Sequence, residues 1–359
     1  MIPIYKPYLG AYKEFAYDAI DSEWISNHGK YISMGTETLA KIIGVNHCIL
    51  MNNGTSATHC LFKALKFKYP YINKIYVPNN VFVAAWNCAL KEYDSSSIEV
   101  MKTNIHTFNI DTSEEYIKTL NYQSAVLIVH NLGKIVNIPR LKSLRPDLIF
   151  IEDNCEGMFG TYNGVKTSSS NDVFCSSTSF YGNKTITTGE GGAFFTNDTD
   201  VYEYVKKFYS HGMSKDRYVH DIEGTNYRMT NIQASLLYGQ LLDIDTILTL
   251  KHCIFTNYYK LLENNYECIC TEADTTEAPW IFSVYIPNIQ YSKLEKHMLE
   301  KGVEIRPTFY DVHVHSHLRS LKKHENVELP TAVMLPSYPE LTYDEQVFIV
   351  SCLKTFVSP

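Results

Sequence analysis

With 359 residues, 45% hydrophobic and 20% charged, the chain can bury one large core and a smaller second one, which excludes a disordered class. A formal net charge of -7 argues against the basic face that nucleic-acid binding requires, while leaving room for a local pocket around one phosphorylated ligand. Met1 to Pro7 shows no charged leader ahead of an apolar core, no apolar run could span a bilayer, and nine scattered cysteines read as reduced thiols, so a cytoplasmic protein off the membrane is expected.

Short apolar runs predict strands at 48–51, 75–77, 98–101, 125–130, 148–152, 173–176 and 193–196. Helix-like segments lie between several of them, at 57–67, 81–92 and 200–209. This alternation predicts a mostly parallel seven-stranded sheet with helices on both faces, in an α/β large domain over 1–245. Ligands of such sheets bind beyond the carboxyl ends of the strands. Thr230-Asn231-Ile232-Gln233 reads as a capping box opening a long helix that runs towards Lys251, with Leu236, Leu237, Leu241 and Leu242 on its apolar face. A smaller C-terminal α/β domain over 246–359 follows, with strands at 280–286 and 304–306 and helices at 292–301 and 343–356.

Three segments carry chemistry. Asn53-Gly54-Thr55-Ser56-Ala57 lies between a strand and a helix, where Thr55, Ser56 and free N–H groups at a helix start suit a phosphate. Taken alone it serves equally well as an ordinary capped turn. No G-x-x-x-x-G-K-[ST] or G-x-G-x-x-G occurs, so neither a nucleoside triphosphate nor a dinucleotide is indicated. Leu148 to Asp153 ends a buried strand in two acids, Glu152 and Asp153. A carboxylate there needs a partner, either a cofactor's protonated ring nitrogen or the donors of the next turn. Ser179-Phe180-Tyr181-Gly182-Asn183-Lys184 runs into Gly189-Glu190-Gly191-Gly192, which places one lysine among four glycines. A lysine amine forms an imine with an aldehyde, and glycines let backbone approach a flat ring.

The ordered set resembles the DegT/DnrJ/EryC1/StrS sugar aminotransferases over nearly the whole chain. The likeness begins at Ile2-Pro3-Ile4-Tyr5-Lys6-Pro7 and Trp24-Ile25-Ser26. It continues through the three segments above, His211-Gly212-Met213-Ser214 and Asn226-Tyr227-Arg228-Met229-Thr230-Asn231, and ends at Leu335-Pro336-Ser337. The resemblance implies the aspartate-aminotransferase fold (type I) and pyridoxal 5'-phosphate. It implies that Lys184 bonds the cofactor and shuttles a proton, that Asp153 pairs with the ring nitrogen, and that Phe82, with Trp86 a nearby alternative, stacks on the ring. Thr55, Ser56 and Ser179 would bind the phosphate, and Asn226 would reach it from a neighbouring subunit of a homodimer. Glu156 stands where many members have Gln, near the ring hydroxyl, and Pro78-Asn79-Asn80-Val81 replaces the usual Pro-aromatic pattern before Phe82.

The expected reaction is transfer of an amino group from L-glutamate to C4 of a nucleotide-linked 4-keto-6-deoxyhexose, making a 4-amino sugar nucleotide for glycan synthesis. The alternatives are a C3 aminotransferase, a dehydratase of the kind in which His replaces the lysine, or a silent binding module. Trp86 and His313 are candidate substrate contacts. His313-Val314-His315-Ser316-His317 lacks the further ligands of a metal site, so no metal is expected.

Overall fold

The computed structural model describes residues 1–263, 266–286 and 289–357. All seven expected large-domain strands form, in one sheet of spatial order His47–Met51, Gly192–Thr196, Val173–Ser179, Ile149–Asp153, Ala125–Val129, Ile75–Val77, Ile98–Val100 and Lys322–Lys323. Gly192–Thr196 runs antiparallel to both neighbours, and every other adjacent pair is parallel. Seven strands therefore point the same way and end at the same edge. The near-continuous Ile/Val/Leu runs follow from burial on both faces.

The count corrects the expectation of seven strands. The eighth, Lys322–Lys323, comes from the C-terminal third and pairs beside Glu99 and Val100. Two lysines make no apolar signal, and what holds them is electrostatic. Glu99, 6% exposed, accepts from Lys74 at 2.8 Å, Lys322 at 2.9 Å and His324 Nε2 at 2.8 Å.

The capping box at Thr230 and Gln233 forms, with Leu237 and Leu241 buried. The single long helix does not: Asn231–Leu242 and Ile244–Leu262 are separate helices. Asp243 breaks the run at φ −121°, ψ 27°, where its carboxylate accepts the Tyr12 hydroxyl at 2.6 Å. An Asp with a tertiary partner outside the helix favours the break.

The C-terminal core centres on an antiparallel sheet of Ser283–Tyr285, Ala332–Met334 and Arg306–Pro307. Helices Ile244–Leu262, Tyr291–Glu300 and Tyr343–Val357 accompany it, and Tyr258, Phe282, Val284, Leu294, Val333 and Leu353 fill the core. Two segments cross between the cores. Ile2 pairs with Gly302 and Glu304, while Val312, Leu318 and Leu321 pack into the large core. A short sheet of Thr161–Tyr162, Val165–Lys166 and Thr275–Thr276 was not foreseen, because two-residue strands are too short to show alternation.

Candidate active site

The common strand edge brings the three chemistry-bearing segments together. Met51, Gly192 and Ser179 lie side by side across the sheet, and Asp153 pairs with Ser177. The loop after Met51 thus touches the loop after Ser179. Gly54 is needed there, because a Cβ would lie 2.6 Å from Ser179 Cβ; Gly192 is needed as well, because its Cβ would lie 2.6 Å from the Asn53 carbonyl oxygen. The fifteen-residue helix Gly54–Lys68 starts in this cradle, with Asn53 Oδ1 accepting the Ser56 N–H at 2.8 Å. Its positive end faces the site, with Thr55 exposed and Ser56 buried.

Asp153, 6% exposed, accepts from Thr58 Oγ1 at 3.2 Å and from the Cys155 N–H at 3.1 Å. Thr58 was not singled out, although it lies one helical turn beyond Gly54 and shares its inner face. Glu156 is also buried, and one of its oxygens accepts the Leu132 N–H at 2.8 Å. Burial pushes its carboxyl up to about 7; the Lys184 charge and the Leu132 N–H oppose the rise, and Asp153 adds to it. Behind this layer the fully buried His130 Nε2 contacts Glu152 Oε1 at 2.7 Å, and the Val136 N–H donates to His130 Nδ1. That hydrogen bond places the imidazole proton on Nε2, so His130 donates to Glu152. Of the two strand-end acids, Glu152 is therefore occupied by the core and Asp153 faces the site.

Lys184 is half-buried on the loop after Ser179. Its Nζ lies 4.4 Å from the centroid of the Trp280 ring, a neighbour that sequence reasoning absorbed into a predicted strand. Ser179 Oγ accepts the Tyr181 N–H at 3.2 Å. Phe82 is 59% exposed and meets Phe309 edge-on at 6.3 Å, which leaves a ring face free. Asn226 is exposed; its carbonyl accepts from Asn52 Nδ2 at 3.4 Å, so it lies beside the phosphate-type loop of its own chain.

Two expected substrate contacts do not reach this space. Trp86 is fully buried in the large core and donates Nε1–H to the Pro78 carbonyl at 2.7 Å. Trp86 lies one helical turn beyond Phe82 but faces inward, so it does not offer a ring face to the site. His313 directs Nε2 to the Leu321 carbonyl at 2.9 Å, and His317 contacts Asn87 Oδ1 at 2.9 Å. These histidines tie the 312–321 segment down and share no common point.

A helix start for a phosphate, a buried carboxylate for a ring nitrogen, an amine and an uncovered aromatic face are together the groups that pyridoxal phosphate requires. Two buried acceptors on these loops, Asn52 Oδ1 and Asn183 Oδ1, have no hydrogen-bond partner among the described residues. A polar lining that does not satisfy itself is what a polar ligand completes. The residues fit the group.

Known proteins resemble this chain in sequence and in fold. The model of the DegT/DnrJ/EryC1/StrS aminotransferase family matches residues 11–354. The chain is 32% identical over 365 residues to a GDP-perosamine synthase of Escherichia coli O157:H7, covering 99% of each chain. It is 30% identical over 371 residues to a GDP-perosamine synthase of Vibrio cholerae, again over 99% of each. Its fold is similar to an E. coli GDP-4-keto-6-deoxy-D-mannose-3-dehydratase solved with bound hydrated PLP, at a TM-score of 0.86 and 19% identity, over 98% of this chain and 99% of that one.

Proposed function

The chain belongs to the DegT/DnrJ/EryC1/StrS aminotransferase family, and from that premise we propose that it is a pyridoxal-phosphate-dependent aminotransferase moving an amino group from L-glutamate to C4 of a nucleotide-linked 4-keto-6-deoxyhexose. The observation that carries the reading is the placement of Lys184 at the strand edge that also presents Asp153 and the helix start at Gly54. The whole-length relatives named GDP-perosamine synthase make a GDP-linked sugar the first acceptor to test. Lys184 itself argues for amino transfer over the dehydratase alternative.

Bound pyridoxal phosphate supplies an electron sink for the carbon that loses its proton. The residues of the chain do the rest. Thr55, Ser56 and Ser179 hold the phosphate against the positive end of helix Gly54–Lys68. Asp153, kept in place by Thr58 and the Cys155 N–H, holds the proton of the ring nitrogen. Phe82 would cover a face of the cofactor ring, and Glu156 would stand by its ring hydroxyl. Lys184 would carry the cofactor and, once released, would take the proton from the donor carbon in the first half-reaction and deliver one to the sugar carbon in the second. Asn226 serves the phosphate of the second subunit in a homodimer. Residues 1–245 form most of the cofactor-binding unit and 246–359 most of the smaller unit, which contributes Trp280, while 312–323 return to the large sheet and its core. Among the described residues no helix is long and apolar enough to cross a membrane, and nine unpaired cysteines suit a cytoplasmic location.

The test is an absorbance spectrum of purified protein before and after L-glutamate. A visible band that gives way to a shorter-wavelength one, and returns with a GDP-linked 4-keto-6-deoxy sugar, is the expected result. Lys184→Ala should abolish the band and its exchange. No band after added pyridoxal phosphate, or release of water without consumption of glutamate, would overturn the proposal.

A further inference from the structure

An amine that bonds a cofactor and later moves protons must be free for part of each cycle, and a free ammonium needs a place to rest. The surroundings of Lys184 contain one. Its Nζ lies 4.4 Å from the Trp280 ring centroid, over the face of an indole that is 3% exposed. That face is the negative end of the ring quadrupole, and a partly desolvated cation–π contact of this kind holds an ammonium in place roughly three- to thirtyfold over open solution.

The indole is fixed at several points. Its Nε1–H donates to the Asn183 carbonyl at 3.1 Å, immediately before Lys184. The Trp280 backbone N–H donates to the Ala278 carbonyl at 2.8 Å. The Trp280 carbonyl accepts from Lys251 Nζ at 2.5 Å. Lys251 is itself unusual: it is 4% exposed and donates also to the Ser337 carbonyl, and no carboxylate faces it among the described residues. Burial pushes its ammonium down to about 7. A buried lysine is a costly way to hold a loop, yet here its donors secure the backbone that carries the ring. The Phe309 ring runs within 9° of parallel to the indole, with the ring centroids 6.4 Å apart.

We infer that Trp280 is a positioning residue of this site: its ring face holds the Lys184 amino group whenever that group is not bonded to the cofactor, and Lys251 fixes the ring through the Trp280 carbonyl. The inference rests on the aminotransferase reading in that Lys184 is taken as the cofactor lysine. It adds that the neighbour's electron density, beyond its bulk, decides where the free amine sits.

The experiment uses the full-length protein loaded with pyridoxal phosphate and converted with L-glutamate. Brief acetic anhydride treatment at fixed pH is followed by mass spectrometry of the peptide containing Lys184. Tryptophan is replaced biosynthetically by mono-, di- and trifluorotryptophan, which weaken the ring face with little change of shape. The chain has three tryptophans, so W280F grown with the same analogues is the control for Trp24 and Trp86. The expected result is acetylation of Lys184 that rises stepwise with fluorine number and is three- to thirtyfold faster in W280L, with W280F in between and no trend in the W280F control. Constant acetylation across the fluorinated series would overturn the inference, and that series remains informative if W280L does not fold. Failure of the aminotransferase reading looks different: Lys184 would then be acetylated equally before and after glutamate.

Discussion

Replacing Glu156 with Gln removes a charge and little else, since the amide oxygen can still accept the Leu132 N–H. The folded protein holds the Glu156 carboxyl at about 7 against an ordinary 4.5, chiefly because the group is buried. A carboxyl raised on folding binds its proton more tightly in the native state than in the unfolded chain. Its penalty is absent below the ordinary carboxylate range, grows as pH rises through it, and is complete above about 7. The difference corresponds to a ceiling of about 3 kcal/mol, at roughly 1.4 kcal/mol per tenfold change in proton affinity. Glu156→Gln should therefore be nearly neutral at pH 4.5 and stabilising by about 1–3 kcal/mol at pH 8. Urea unfolding of cofactor-free protein across that range measures it. An equal gain at both ends would mean that the gain does not come from ionisation, and a loss at pH 8 would mean that the carboxylate is stabilised by a partner other than Leu132; either result would refute the reasoning. A stabilising change at a buried site charge is the pattern expected where function sets the residue.

Glu99 should show the opposite pH dependence. Lys74, Lys322 and His324 outweigh its burial and hold its carboxyl down at about 2, so its contribution is present above the ordinary carboxylate range and lost as pH falls towards 2. Glu99→Gln should cost about 2–3 kcal/mol near pH 7 and progressively less below pH 4 in thermal or urea unfolding; a penalty that does not shrink on acidification would count against this. Gly54→Ala should place a methyl against Ser179, cost about 1–3 kcal/mol of stability and weaken cofactor binding in a pyridoxal-phosphate titration, whereas unchanged binding would separate this contact from the phosphate cradle. Trp86→Ala should lower stability by about 3–5 kcal/mol through loss of a fully buried ring and its hydrogen bond to Pro78. A Trp86→Ala protein of near-native stability would mean that Trp86 is not the core residue described above.

Much of the site was legible because its parts obey local rules. A strand followed by Asn-Gly-Thr-Ser and a helix declares a positive helix end, since capping and dipole depend only on neighbouring residues. An apolar run ending in Glu152-Asp153 declares carboxylates at a strand end, and one lysine among glycines declares a close-packed loop. What local rules could not decide was which of two adjacent acids faces the site. The answer lies with His130, twenty-two residues away, which takes Glu152 into the core. Trp86 was misplaced for the same reason: its helix position was read correctly, but the direction of its face depends on what packs against the helix.

The eighth strand and the helix break have the same origin. Lys322–Lys323 pairs as a strand where Glu99 and Asp311 take up its charges and Leu321 anchors it in the core, and the helical sequence breaks at Asp243, whose carboxylate accepts the Tyr12 hydroxyl. Trp280 acquires its relation to Lys184 across ninety-six positions of chain. Periodicity, caps and turn residues, which act over a few residues, were enough for the sequence alone to determine the α/β class, the seven main strands and the cofactor-type motifs. Charge pairing, side-chain direction and the company each group keeps act between segments distant in the chain, and these only the tertiary structure decided, because burial and electrostatic attraction depend on separation in space.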